Sequence, residues 1–279
     1  MPDSKPNAYI VCATPRSGST LLCQLLDSTG VAGHPEEYFE ARADTGLPPH
    51  PGEYLAGLPR TGVGVRDDLS PPVAADYSDL RGLAGYGEHL ARSFRLGTTP
   101  NGMFASKLMW SNLRDLQALA SGLPEYASLD AHELLEVLFD EPRYVWMTRA
   151  DKRRQAISLW RALQTRTWRL EHPGDRGRPE LRYSYAAIDH LRHRLEEDDR
   201  GWESYLSAHY EDTIRVGYED DLDTDQAATI ARVLAHVGLD VPDGWAPPVR
   251  IYRQADELND EWLKRYAADA AAAVQTASG

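Results

Sequence analysis

The chain has 279 residues, 42% hydrophobic and 26% charged, a globular balance and not a disordered or fibrous one. A formal net charge of −13, from 30 Lys+Arg and 43 Asp+Glu, argues against a nucleic-acid partner. No apolar run approaches the ~20 residues a membrane helix needs, which excludes an integral membrane segment.

Asn7 to Ala13 is apolar and partly β-branched, and it predicts a buried strand. The polar turn Thr14-Pro-Arg-Ser-Gly18 follows. Ser19 to Thr29 then predicts a helix, with Leu21, Leu22, Leu25 and Leu26 on one side and Gly30 as its stop. Gly33 to Pro100 is rich in Pro and Gly and reads as a long functional excursion with a short helix near Gly85 to Phe94. Met103 to Met109 predicts a second strand, and Leu113 to Leu119 and Leu129 to Phe139 predict helices. Arg143 to Thr148 is a third strand, Lys152 to Gln164 a helix, and Tyr183 to Tyr205 a long helix. Thr213 to Val216 is a short strand, Thr224 to Val237 a helix stopped by Gly238, and a last helix starts near Asn259. Strands alternating with helices predict an α/β fold with a central parallel sheet flanked by helices. No linker divides the chain, so residues 1–279 are expected to form one domain. Cys12 and Cys23 are too few for a disulfide framework; they are expected to pack as small core residues in a reducing, cytoplasmic setting, and the N-terminus lacks the apolar stretch of a signal peptide.

Two features point to an anionic ligand. Arg143 to Arg169 holds eight basic residues and one acid, Asp151, in an otherwise acidic chain. The segment Ala13-Thr-Pro-Arg-Ser-Gly-Ser-Thr20 lies between a strand and a helix, where unsatisfied N–H groups and the helix dipole favour an anion. It differs from the Walker A pattern GxxxxGK[ST] by carrying Ser19 in place of the Lys, so a nucleotide kinase or another P-loop phosphotransferase is poorly supported. The basic group is Arg16, inside the turn.

Arg16-Ser-Gly-Ser-Thr after a first strand resembles the 5′-phosphosulfate loop of sulfotransferases, which use 3′-phosphoadenosine 5′-phosphosulfate (PAPS). Arg149 past a strand with Ser158 nine residues on resembles their 3′-phosphate element, and Val216-Gly-Tyr-Glu-Asp-Asp-Leu resembles a strand-end stretch many of them carry. Gly30-Val-Ala-Gly-His-Pro-Glu-Glu-Tyr-Phe, Lys107-Leu-Met-Trp, Ser158-Leu-Trp-Arg-Ala-Leu-Gln-Thr-Arg-Thr-Trp-Arg and Arg253-Gln-Ala-Asp together resemble the trehalose 2-sulfotransferase family. The resemblance implies a P-loop nucleotide-kinase-like sulfotransferase fold. It implies transfer of a sulfuryl group from PAPS to a carbohydrate hydroxyl, the 2-position of trehalose first among acceptors, without a metal.

Carried over by position, Arg16, Ser17, Gly18, Ser19 and Thr20 would hold the 5′-phosphosulfate, with Arg16 steadying the developing charge. Arg149 and Ser158 would hold the 3′-phosphate, and Arg253 and Gln254 would close over the nucleotide. Glu37 would be the general base. His34, Pro35, Glu36, Glu37, Tyr38, Phe39 and Glu40, with Pro49 and Tyr54, would contact the acceptor. Pro15, His34 and Tyr54 depart from the trehalose pattern, which has Gln, an acid and Trp there. All three lie on the acceptor side, so another sugar, a glycolipid or a small alcohol stays open as acceptor, and His34 stays open as the base. A catalytically inactive nucleotide-binding module is the alternative of another class. A homodimer is implied by the resemblance alone. His190 and His193, with Glu196 and Glu197, have helical metal-ligand spacing but no Cys or third His beside them, and they read as a charged helix face.

Overall fold

A computed structural model of the protein describes residues 7–39, 54–58, 83–165, 168, 181–248 and 257–277. In chain order these form β1 (Asn7–Ala13), α1 (Ser19–Asp27), α2 (Leu83–Gly97), β2 (Met103–Met109), α3 (Trp110–Ala120), α4 (Ala131–Phe139), β3 (Arg143–Thr148), α5 (Lys152–Thr165), α6 (Tyr185–Leu206), β4 (Thr213–Gly217), α7 (Gln226–His236) and α8 (Glu257–Ala277). A 3-10 segment, Ser207–Asp212, precedes β4, and one π-helical turn, Tyr218–Leu222, follows it. Among the described residues no helix is long and apolar enough to cross a membrane.

The strands fall where the apolar runs predict, and α4, α6 and α7 each begin two residues later than periodicity alone predicts, for a local reason. The α4 start is fixed by Asp130, whose carboxylate accepts from the His132 and Glu133 N–H groups while Glu133 accepts from the Asp130 N–H, a reciprocal capping box. Asp225 accepts from Ala228 N–H before α7, and Ser184 Oγ accepts from Ala187 N–H before α6. A capping side chain has non-helical backbone, so each helix opens one residue after it. At the other end of α1, the Ser28 and Thr29 hydroxyls donate to the Leu25 and Leu26 carbonyls and stop the helix ahead of Gly30.

The residues group into two compact units, each drawn from three stretches of chain. One takes Met1–Pro49, Ala75–Ala150 and Asp198–Val249; the other takes His50–Ala74, Asp151–Glu197 and Arg250–Gly279. The first unit carries the sheet. Its four strands are all parallel, in the order β2-β1-β3-β4, with Ala13 opposite Met109 and Cys12 opposite Trp146. The chain moves from β1 to β2 on one side and then returns past β1 to β3 on the other. The crevice outside the carboxyl end of β1 is therefore the switch point where such sheets bind ligands.

On one face of this sheet Ile10, Cys12, Phe104 and Tyr144 pack against Phe39, Phe94, Leu116, Leu135 and Phe139. Phe104 stacks on Phe139 at 5.5 Å and 12°, and Phe94 leans on both. Cys12 and Cys23 are buried free thiols, as expected of small core residues. The second unit packs α5, the first part of α6 and α8 around Ile157, Trp160, Ile188, Leu191, Trp262 and Tyr266. The Trp160 indole N–H donates to Arg182 O at 2.8 Å, so this Trp is a core anchor.

Gly97 closes α2 against the Phe104 ring. A Cβ built there would lie 2.4 Å from Phe104 Cε2 and 3.0 Å from the Ala105 carbonyl, and the ring is held by its stack on Phe139. Gly97→Ala is therefore expected to destabilise the protein by about 1–3 kcal/mol, the usual cost of overpacking, read as a lower denaturant midpoint at unchanged m-value.

Candidate functional site

The site is built at the carboxyl edge of the sheet, from the first turn after β1. Its entry is pinned by the last part of α6. Trp202, fully buried, donates its indole N–H to the Ala13 carbonyl at 2.9 Å, and Thr14 Oγ1 donates to Asp199 Oδ1 at 3.0 Å. Trp110 meets Trp202 edge to face at 5.1 Å.

The turn itself is conformationally costly. Arg16 sits at φ 64, a left-handed backbone that costs a non-glycine residue roughly 1–2 kcal/mol. The Arg149 guanidinium holds it there, donating from Nη1 to the Arg16 carbonyl at 3.2 Å. Gly18 is the N-cap of α1 at φ 100, and no side chain caps the helix. A Cβ on Gly18 would meet Tyr218 Cδ2 at 2.5 Å, so both conformation and space require glycine.

The stretch after β4 explains this crowding. Tyr218 packs over Gly18 and also lies under the Arg149 guanidinium, 4.7 Å from its ring centroid. Glu219 accepts from Ala150 N–H at 2.9 Å and stands 3.5 Å from Arg149 Nε. Asp221 accepts from Gly217 N–H at 2.7 Å and pairs with Arg232. The Val216–Leu222 stretch thus supports the loop and aims Arg149.

Two buried donors at this place lack a hydrogen-bond partner within the protein: Ser17 Oγ and Arg149 Nε. Leaving such groups unsatisfied costs about 1–3 kcal/mol each. A hydroxyl and a guanidinium N–H beside an uncapped helix start fit a phosphate or sulfate oxygen, which offers several acceptor lone pairs.

On the β2 side, Lys107 is the decisive residue. Its side chain is 1% exposed, and Nζ lies 2.7 Å from Glu37 Oε1 and 3.4 Å from Thr20 Oγ1. The ammonium therefore joins the first turn of α1 to the 34–39 segment. That segment is laid along β2: Glu36 bridges Ser106, its carbonyl accepting from Lys107 N–H at 2.9 Å and from Ser106 Oγ at 3.1 Å. The pleat then sends Glu36 to solvent, while Glu37, 27% exposed, turns to Lys107. Phe39 is a core residue, edge-on to Phe139. The Tyr38 hydroxyl donates to His34 O, and burial, with the Glu36 and Asp27 charges, pushes its phenol up to about 12. His34 Nδ1 faces Asp27 at 2.5 Å at the surface, and Pro35 is buried.

The structure thus brings Arg16, Ser17, Gly18, Ser19, Thr20, Arg149 and Glu37 into one unit around one helix start. Ser158 is half-buried on α5 and Tyr54 leans on Trp168 at 5.7 Å; both belong to the other unit. Glu40, Pro49, Arg253 and Gln254 lie outside the described residues. The basic island disperses: Arg143 donates to the His236 carbonyl, and Arg154 and Arg161 are tied to Asp260 and Asn259 of α8. Arg149 sits at the loop. Lys107 and Glu219 are among the supporting residues that carry no role in the sequence reading. Lys107 could have been found as the single charge in the apolar strand Met103–Met109, whereas Glu219 gives no signal among its acidic neighbours.

A sequence model of the Stf0 sulphotransferase family matches residues 8–269. The trehalose 2-sulfotransferase of Mycobacterium tuberculosis is 36% identical over 268 residues, covering 94% of this chain and 95% of that protein. The trehalose 2-sulfotransferase of Mycolicibacterium smegmatis is 33% identical over 272 residues, covering 95% and 96%. Among solved structures, the sulfotransferase domain from the Synechococcus PCC 7002 olefin synthase aligns over 95% of this chain and 97% of its own, at 17% identity and a TM-score of 0.38.

The Lys107–Glu37 pair has unequal partners, since the lysine is buried and the acid partly wet. Glu37→Leu strips the buried ammonium of its carboxylate and is expected to cost about 3 kcal/mol or more; Lys107→Met leaves only a solvent-reachable acid and costs less. The double variant should recover part of the loss. Denaturant unfolding of the three variants closes the cycle.

Proposed function

The chain belongs to the Stf0 sulphotransferase family, a PAPS-dependent class of enzyme, and we propose that it transfers the sulfuryl group to a carbohydrate hydroxyl, with the 2-position of trehalose as the first acceptor to test. The observation that carries this reading is the Lys107 bridge, which sets the Glu37 carboxylate beside Thr20 of the anion loop. One unit then holds a donor cradle and a candidate proton acceptor. The acceptor sugar is read from the two relatives, both named for trehalose.

PAPS, when bound, supplies the sulfuryl group together with its phosphate leaving group. The chain's residues do the positioning. Ser17, Ser19 and the uncapped N–H groups of α1 hold anionic oxygens, and Arg16 and Arg149 add forked cationic donors. Preorganised donors of this kind stabilise charge without reorganising as the reaction proceeds. Arg149 is the residue that would hold the 3′-phosphate. Lys107 fixes Glu37 Oε1, leaving Oε2 to accept the acceptor's hydroxyl proton as its oxygen bonds to sulfur. His34, turned to Asp27, is the alternative base.

An acceptor screen with labelled PAPS across trehalose, other disaccharides and glycolipids tests the reading; the absence of any sulfated product would sink it. On the best acceptor, Glu37→Gln should lower turnover by ~10²–10⁴ at saturating substrates with PAPS binding unchanged, whereas Glu36→Gln should change little. If His34→Ala carries the large loss instead, the base assignment moves to His34. Arg149→Ala should weaken PAPS binding more than tenfold and erode discrimination against adenosine 5′-phosphosulfate, because a charge-assisted hydrogen bond contributes about 1.5–3 kcal/mol. Titration calorimetry with both nucleotides checks it.

A further inference from the structure

The α4 helix and the 3-10 segment Ser207–Asp212 feed the amino ends of β3 and β4, the edge of the sheet opposite the anion loop. There His132 and Glu136, four residues apart on one face of α4, meet His209. One ligating atom from each of the three lies within 4.8 Å of the other two. The His132 and His209 ring centroids are 4.1 Å apart, and His132 Nδ1 stands 3.8 Å from Glu136 Oε1, beyond hydrogen-bond reach. That Nδ1 atom is buried and has no hydrogen-bond partner.

We propose that His132, Glu136 and His209 bind one divalent transition metal ion, Zn(II) by the chemistry of the donors, with water as fourth ligand.

The donor set favours this assignment. Two imidazoles and a carboxylate suit zinc, and ligands at ~2.0–2.1 Å in a tetrahedron stand about 3.3–3.4 Å apart. The present atoms need close by no more than about 1.5 Å to reach that spacing. The ligands are also supported from behind. The capping box at Asp130 and Glu133 fixes the first turn of α4, which carries His132. The Tyr144 hydroxyl lies 3.4 Å from the Tyr205 hydroxyl beside this cluster. Tyr205 packs on both imidazoles, 6.3 Å from His132 and 5.6 Å from His209. The sequence's more conspicuous histidine pair does not converge in this way: His193 is engaged with Asp189 and Arg192 on the face of α6.

A metal here staples α4 to the segment entering β4. It takes no part in chemistry at the opposite edge of the sheet, so its consequence is stability.

The test uses untagged full-length protein stripped with chelator and titrated with Zn(II) alone. The expected result is one zinc per chain retained through gel filtration, with the melting temperature raised by about 5 °C or more at a hundredfold excess over Kd. Co(II) should give the visible absorption of a four-coordinate site with nitrogen ligands. Glu136→Gln and His209→Gln should each weaken Zn(II) at least tenfold, and His193→Ala should not. The two variants lie on different segments, so either one that folds decides the ligand assignment. Should neither fold, the parent's cobalt spectrum decides it. A parent that retains no zinc, a cobalt spectrum without a four-coordinate signature, or a foldable ligand variant that binds as the parent does overturns the proposal.

Discussion

A lysine in a buried strand sets the terms for the site. Lys107 stands among the apolar side chains of β2, and an ammonium taken out of water there must be given an opposite charge and hydrogen-bond acceptors. Glu37 supplies the charge and Thr20 an acceptor. Meeting that need draws two parts of the chain that have no local reason to meet. The segment after Gly33 must run along β2, with Glu36 bridging Ser106, and α1 must present its first turn to the same ammonium. Gly33 makes the approach possible: at φ 69, a Cβ there would lie 2.7 Å from Ala105. The carboxylate and the anion loop become neighbours as a consequence of burying one charge.

The loop shows the complementary economy. Its left-handed Arg16, its capless helix start and its two buried donors all lower the stability of the unliganded chain. Surrounding structure offsets this from several sides at once: Trp202 and Asp199 from α6, Arg149 from just past β3, and Tyr218 and Glu219 from the turn after β4. Stress held in place by independent supports is what a preorganised binding site requires.

Much of this was legible in the sequence because the decisive signals were local. Four apolar runs marked the strands, and a polar turn ending in Gly-Ser-Thr marked the loop. Arg149 was legible too, lying one residue past a strand. The loop's supports were not, because they are set by packing between distant segments. Nothing near Glu219 distinguishes it from Asp220 or Asp221, yet it alone turns back to Ala150. The division into two units was hidden because each is assembled from three stretches, so no linker marks a boundary. In the basic island, charge clustered along the chain is carried by a helix and a strand to different partners, with Arg149 at the loop. The paired histidines of α6 were read as a charged helix face, and His193 does pair along that face with Asp189 and Arg192.

The central place of β1 has a consequence for how the chain acquires its structure. β1 leaves the ribosome ahead of both its neighbours, pairing on one side with Met103–Met109 and on the other with Arg143–Trp146. One of its edges therefore has no native partner until Trp146, about halfway along the chain, has been made, and β4 cannot add until Gly217 is out. Parallel pairing between such distant segments is slow and leaves sticky strand edges exposed meanwhile. The same sequence order that puts the anion loop ahead of β2 and β3 obliges the nascent protein to keep that loop's strand from pairing elsewhere, a burden that falls on synthesis rate and chaperone supply when the protein is overproduced.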